Sequence, residues 1–219
     1  MTSVPLHIVT NIYKSRKTLL TQFQERGIDT SNLLNNITEN ELRIMNKNSD
    51  IDFEVKQDNY KISIKYLLNS KLRNTTLRNQ IISFMEEEKI IDEEGNLNKD
   101  IDVSNHELIF IIKENPNESL VKVVDEIYNE YKLYVNIFWI NTLLFNILEH
   151  EYVPKHQKIT NEDFKELKSM YNLNSKQQLP LISKHDPVAK VLGVRPGDIV
   201  KITRPSQSCG KYITYRCCK

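Results

Sequence analysis

The sequence predicts an α/β protein, α+β overall, with an N-terminal α/β layer and a small mixed module closed by a C-terminal hairpin. Three observations carry this. Strand-like and helix-like segments alternate over roughly the first 149 residues, as they do in layered α/β folds. Leu108–Ile112 is an unbroken apolar run, the mark of a strand buried on both faces. Near the C-terminus, two β-rich segments are joined by a linker containing Ser, Gly and Pro.

In chain order, Ile12, Leu19, Leu20 and Phe23 predict an amphipathic helix from Ile12 to Arg26, with Gly27 as its C′ residue. Thr38 and Glu41 form a capping box for a second short helix carrying Leu42 and Met45. Phe53–Val55 and Tyr60–Leu67 are expected strands, with Asp58-Asn59 as the turn between them. Thr76–Glu88 predicts a helix with Leu77, Ile81, Phe84 and Met85 on its apolar side. After Leu108–Ile112, another helix is expected from Leu120 to about Tyr134, and a strand near Leu143–Leu148. Thr160 and Asp163 make a near capping box for a helix presenting Phe164, Leu167 and Tyr171, a natural cover for the hairpin. Pro196-Gly197 signals a type II turn, since Pro presets φ and Gly accepts positive φ. Asp198–Arg204 and Lys211–Arg216 are the expected hairpin strands, joined by a wide loop from Pro205 to Gly210. Tyr212, Thr214 and Arg216 share one face and Ile213 and Tyr215 the other; one face is expected in the core and the Arg-bearing one at a protein interface.

At 219 residues and 39% apolar content the chain can build one or two cores. A net charge of +1 makes no bulk electrostatic case for nucleic acid, so any DNA contact must come from a local patch. Asparagine clusters such as Asn35-Asn36 and Asn46/Asn48 sit within continuing apolar periodicity and read as the bias of an A+T-rich genome. That bias leaves a large DNA virus open as the source. Cys209, Cys217 and Cys218 do not make a disulfide framework, no secretory signal precedes them, and no Cx2C pair suggests zinc. They read as reduced cysteines, with no metal site and no cofactor. The uncharged stretch Leu133–Leu148 is 16 residues long and holds three asparagines, short of a bilayer span of about 20. It is expected to be a buried helix end followed by a core strand.

Two constellations invite enzymatic readings. Asp52-Phe53-Glu54-Val55-Lys56 places an acid and a lysine two apart on a strand, as in Mg²⁺-dependent nucleases of the restriction-endonuclease-like fold, with Asp50 or Asp52 as the partner acid. The same spacing is common on solvent-facing strands, and the nuclease stands as the alternative function. His185-Asp186 with Ser183, Ser206, Ser208 or Cys209 lacks a nucleophile elbow or cysteine-protease signature. Asp186 before Pro187 is better read as a turn or cap residue.

The segment Leu179–Lys219 supplies a more specific signal. It contains Leu179-Pro180-x-Ile182, Asp186-Pro187-Val188-Ala189-Lys190, Gly193, Gly197, Lys201-Ile202, Arg204-Pro205-Ser206, Gly210 and Tyr212-Ile213-Thr214-Tyr215-Arg216. In this order and spacing it resembles the C-terminal assembly domain of the fifth subunit of eukaryotic-type DNA-dependent RNA polymerase, a family with an archaeal counterpart. Tyr13-Lys14-x-Arg16-Lys17-Thr18, Glu25-Arg26-Gly27 and Glu149-His150-Glu151-x-Val153-Pro154-x-His156 extend the resemblance upstream.

The resemblance implies a nuclease-like α/β jaw domain at 1–149 and an assembly domain at 150–219. It implies a non-catalytic polymerase subunit acting in transcription, docked on the largest subunit with its jaw beside downstream duplex DNA. Asp186, Pro187, Arg204, Pro205, Ser206, Gly210, Tyr212 and Arg216 fall on the implied docking motif. Pro116, Asn117 and Ser119, followed by Lys122, stand where the jaw presents a loop to DNA, with acidic Glu118 among them. No membrane contact is implied. The setting would be intracellular: the nucleus of a eukaryote, or the host cytoplasm and virion for a large cytoplasmic DNA virus.

Overall fold

The computed structural model describes residues 6–34, 37–47, 50–57, 60–68, 71–92, 97–98 and 101–219. The expected turn at Asp58-Asn59, and Asn35, Asn36 and Asn48, lie outside the described residues. The fold is α/β, with two four-stranded mixed sheets among the described residues. The chain separates into two compact units, residues 1–19 with 29–145, and residues 20–28 with 146–219.

The first helix, α1 (Leu6–Glu25), starts upstream of its predicted beginning. It ends because Gly27 takes a φ of +83°. Ile28 N–H then reaches Phe23 O and Gly27 N–H reaches Gln24 O, the paired bonds of a Schellman cap.

The first unit continues with α2 (Ser31–Leu34) and α3 (Glu39–Lys47). The expected capping box holds α3: Glu41 Oε2 accepts from Thr38 N at 2.7 Å, and Glu41 N donates to Thr38 Oγ1 at 3.4 Å. Then come β1 (Phe53–Gln57), β2 (Tyr60–Leu67), α4 (Asn74–Glu87), β3 (His106–Ile112), α5 (Glu118–Tyr131) and β4 (Tyr134–Trp139). The sheet order is β1-β2-β3-β4, with β1 antiparallel to β2 and the remaining pairs parallel. Every residue of β3 from Glu107 to Ile112 is buried, as the apolar run predicts for a central strand. Leu77, Ile81, Phe84 and Met85 of α4 pack with Leu108, Phe110 and Ile112.

The strand expected near Leu143–Leu148 is in fact β4, nine residues earlier. Lys132 adopts a left-handed φ of 59°, which stops α5 at Tyr131 and releases a β-prone run of aromatic and branched residues. Ile140–Leu143 and Ile147–Glu149 are 3-10 turns. No helix among the described residues is long and apolar enough to cross a membrane.

The second unit contains β5 (Lys155–Lys158), α6 (Asn161–Met170), β6 (Leu181–Ile182), α7 (Pro187–Val191), β7 (Ile199–Ser206) and β8 (Gly210–Cys218). Its sheet order is β5-β7-β8-β6. Thr160 and Asp163 close both arms of the predicted capping box on α6. Asp198 N–H bonds Arg195 O at 2.9 Å with Gly197 at φ +89°, the predicted turn geometry. The hairpin loop is tighter than expected. Pairing runs on to Ser206↔Gly210, so three residues, Gln207 to Cys209, make the connection.

Candidate functional site

The residues that carry the C-terminal motif gather on α7 and the β7–β8 hairpin. Asp186 is the N-cap of α7: its Oδ1 accepts from Val188 N at 2.9 Å and from Ala189 N at 3.2 Å. Pro187 occupies the first helical position, where a missing N–H costs nothing. The cap role expected for Asp186 is therefore what the local geometry provides. At the other end Gly193 has φ +63°, and Val194 N–H closes back on Ala189 O at 2.9 Å.

Arg26 completes this region from far along the chain. Its Nε donates to Val191 O and its Nη2 to Lys190 O at 2.8 Å, so one guanidinium takes two terminal carbonyls of α7. A Cβ at residue 193 would lie 2.8 Å from Arg26 Nη1, so Gly193 makes room for the clamp. The sequence places Arg26 at the end of the first helix and in a motif, but a partner 165 residues away leaves no local pattern.

On the hairpin, Val200↔Arg216, Ile202↔Thr214 and Arg204↔Tyr212 are directly opposed and share a face. This is the face of the core cluster formed by Ala189, Val194, Val200, Ile202 and Cys218. The expectation of one core face and one free, Arg-bearing face is thus corrected: burial changes along the hairpin. Cys217 and Cys218 are buried, whereas Gly210 to Ile213 are exposed, because the strands extend past the small core. Arg204 and Pro205 are exposed, Ser206 is half-buried, and Tyr212 is 54% exposed. Arg216 Nη1 donates to Leu181 O at 2.8 Å, tying the β8 side chain to β6.

On the opposite face Tyr215 meets Tyr171 edge-on, with centroids 6.2 Å apart, just past the end of α6. A groove of about 370 Å³ lies there, lined by Leu167, Met170, Lys201 and Tyr215 among others. The three thiols divide by burial. Cys209 is exposed at the hairpin tip, while burial pushes the Cys217 thiol up and the Cys218 thiol up to about 11.

In the first unit, Pro116, Asn117 and Ser119 sit where β3 gives way to α5, with Lys122 exposed one turn on. Asn117 is the N-cap residue, and its side chain makes no capping bond. A cleft of about 150 Å³ beside them is lined by Lys71, Lys113, Glu114, Asn115 and Asn117. Lys71 pairs with Glu114 at 3.6 Å. Lys71 and Lys113 were not singled out from sequence, because only the fold brings the end of β3 to the start of α4.

The nuclease alternative finds no support. Glu54 and Lys56 do share the exposed face of β1, but Glu54 is bracketed by Lys56 at 3.2 Å and Lys61 at 3.0 Å. Burial alone would push the Glu54 carboxyl up; the two lysines outweigh it and hold it below the usual range. Asp52 accepts from Tyr66 N at 2.8 Å. Both carboxylates are engaged by this chain's own groups.

Residues 145–218 match the family described as RNA polymerase Rpb5, C-terminal domain. The similarity to that family is thus confined to the C-terminal third of the chain. The subunit rpabc1 of DNA-directed RNA polymerases I, II and III from Dictyostelium discoideum is 39% identical over 110 residues, covering 50% of this chain and 55% of that protein. The RPABC1 subunits of Caenorhabditis briggsae and Caenorhabditis elegans are each 51% identical over 74 residues, covering 34% of this chain and 35% of theirs. The chain thus matches about half of the first relative and about a third of the other two. The assembly-domain resemblance read from Leu179–Lys219 lies inside the matched segment up to residue 218.

Proposed function

We propose that this chain is a non-catalytic subunit of a multisubunit DNA-directed RNA polymerase, acting in transcription. The observation that carries this is the match of residues 145–218 to the Rpb5 C-terminal domain, together with relatives named as polymerase subunits. Residues 150–219 would be the assembly domain, docked on the largest subunit, and residues 1–149 the jaw. Arg204, Pro205, Ser206, Gly210, Tyr212 and Arg216 would meet the partner at the hairpin, with Asp186 and Pro187 fixing the adjoining helix start. Phosphoryl transfer would belong to the large subunits, with this chain supplying no catalytic residue, metal ligand or cofactor. Its place would be wherever that polymerase works: the nucleus of a eukaryote, or the cytoplasm and virion for a large cytoplasmic DNA virus.

The loop of Pro116, Asn117, Ser119 and Lys122 would give the jaw weak, sequence-independent contact with downstream duplex. Polar side chains and lysines beside the cleft suit phosphate oxygens, and such contacts position DNA without reading bases. Glu118→Lys is expected to strengthen retention of downstream DNA by the assembled polymerase at low salt, with a slope of about −0.9 per added phosphate contact. Retention unaltered by Glu118→Lys across a salt titration would place the loop away from DNA. For the subunit assignment, the full chain would be tagged in its own cells, purified, and its partners identified by mass spectrometry. The largest polymerase subunit is expected in stoichiometric amount; its absence would falsify the assignment.

A further inference from the structure

We infer that the outer edge of β8 is a strand-addition site taking an extended, acidic segment of a partner chain. This rests on the docking role proposed above and gives it a mode. β8 is nine residues long, but β6 covers its outer side only at Cys217 and Cys218. Cys217 N–H donates outward to Pro180 O at 2.8 Å, while Cys218 N–H donates inward to Asp198 O at 2.8 Å. Backbone groups alternate in direction along a strand, so Ile213 and Tyr215 turn their N–H and C=O outward, as Cys217 does. No other strand of the described residues pairs with that side of β8. Tyr212 and Ile213 flank this edge at 54% and 43% exposure.

An unpaired row of donors and acceptors is a template for one more strand, and a bound segment would continue the row that β6 begins. Proteins blunt such edges with lysine or proline. Here Lys211 and Pro205 guard the tip, but Tyr212 to Tyr215 carries neither. Charge selects the occupant. From Ile199 to Cys218 the hairpin holds Lys201, Arg204, Lys211 and Arg216 and no Asp or Glu. An acidic segment would meet cations on the strand and its neighbour, raising the rate of encounter and fixing the register.

The test uses the tagged full chain and reads how much of the largest polymerase subunit copurifies. Ile213→Pro removes one outward N–H and leaves the β7 ladder bonds in place; Ile213→Ala trims the side chain and keeps the N–H. Ile213→Pro is expected to lower copurification about tenfold and Ile213→Ala less than about threefold, with the isolated proteins melting like the parent. Because a proline can disturb the strand, hydrogen exchange of the unaltered chain gives a second reading. Amides of residues 211–216 are expected to exchange about tenfold more slowly in the assembled polymerase than in the free chain. Arg204→Glu with Lys211→Glu should weaken copurification more at low salt than at high salt. Equal losses for Ile213→Pro and Ile213→Ala, unslowed exchange at 211–216, or indifference to the charge reversal would each overturn the inference. A parent chain that brings down no polymerase subunit would instead defeat the docking role itself.

Discussion

In the first unit polar side chains close on one another, whereas in the second the hairpin carries them out past its core. Glu107, fully buried, accepts from Tyr60 O–H at 2.7 Å and from Asn136 Nδ2 at 3.1 Å. Lys61 stands between Glu54 and Glu88, and two lines of apolar side chains seal α4 and α5 against β3. The second unit gathers a small cluster around Val200 and Ile202 and leaves Arg204, Pro205 and Tyr212 in solvent. The segment matching a known family is the one with the small core. A core asks for apolar residues of suitable total volume and tolerates many combinations. A docking surface asks for particular side chains at particular places. Recognisable sequence should therefore concentrate where surface, more than interior, is under demand.

Substitutions can break or sharpen this contrast. The largest effect is expected for Phe110→Ala, at the fully buried centre of β3: a loss of about 3–5 kcal/mol, measured by urea unfolding. Next comes Arg26→Ala, which leaves Lys190 O and Val191 O without their cationic donor and should cost about 2 kcal/mol. A chain that begins after residue 28 should lose at least as much, since it lacks the clamp as well as the end of α1. Tyr212→Ala should change stability by no more than about 0.5 kcal/mol while weakening the proposed incorporation into polymerase. If Tyr212→Ala unfolds the isolated protein, the contrast between the units fails.

The smallest effect concerns the thiols. Iodoacetamide at pH 8 should modify Cys209 and spare Cys217 and Cys218 in the folded chain, read by intact mass. Burial holds the Cys218 thiol at about 11, above the value of about 8.5 expected when unfolded. The unfolded chain therefore releases that proton first, so stability should fall as pH rises from about 8.5 towards 11. Labelling of all three thiols at equal rates would show that the end of β8 frays.

What could be read from sequence was what is local. The capping boxes at Thr38/Glu41 and Thr160/Asp163, the Asp186 cap and the Arg195–Asp198 turn each involve residues within four positions. The central strand was legible because burial on both faces leaves an unbroken apolar run. The run from Leu133 to Leu148 misled for a related reason: periodicity cannot place a short strand inside an uncharged, largely apolar stretch. Lys132 at positive φ ended α5 early, and no residue type there announced it. On the hairpin, alternation told which side chains share a face but not where the core stops. The Glu54–Lys56 spacing was read correctly as one face, yet Lys61, which neutralises that carboxylate, arrives from the neighbouring strand.

The Arg26 clamp also sets an order of events during synthesis. Its carbonyl partners lie 164 and 165 residues downstream, with residues 29–145 of the other unit in between. At roughly 5–20 residues per second, a ribosome would take about 8–33 s to deliver them after Arg26 appears. Closing a loop costs less entropy the shorter its free length, by about 0.6 kcal/mol per halving, so prior folding of the intervening chain favours the clamp modestly. The first unit is thus positioned to fold first and the second to finish last, when its late-made strands meet a segment that has waited since the start.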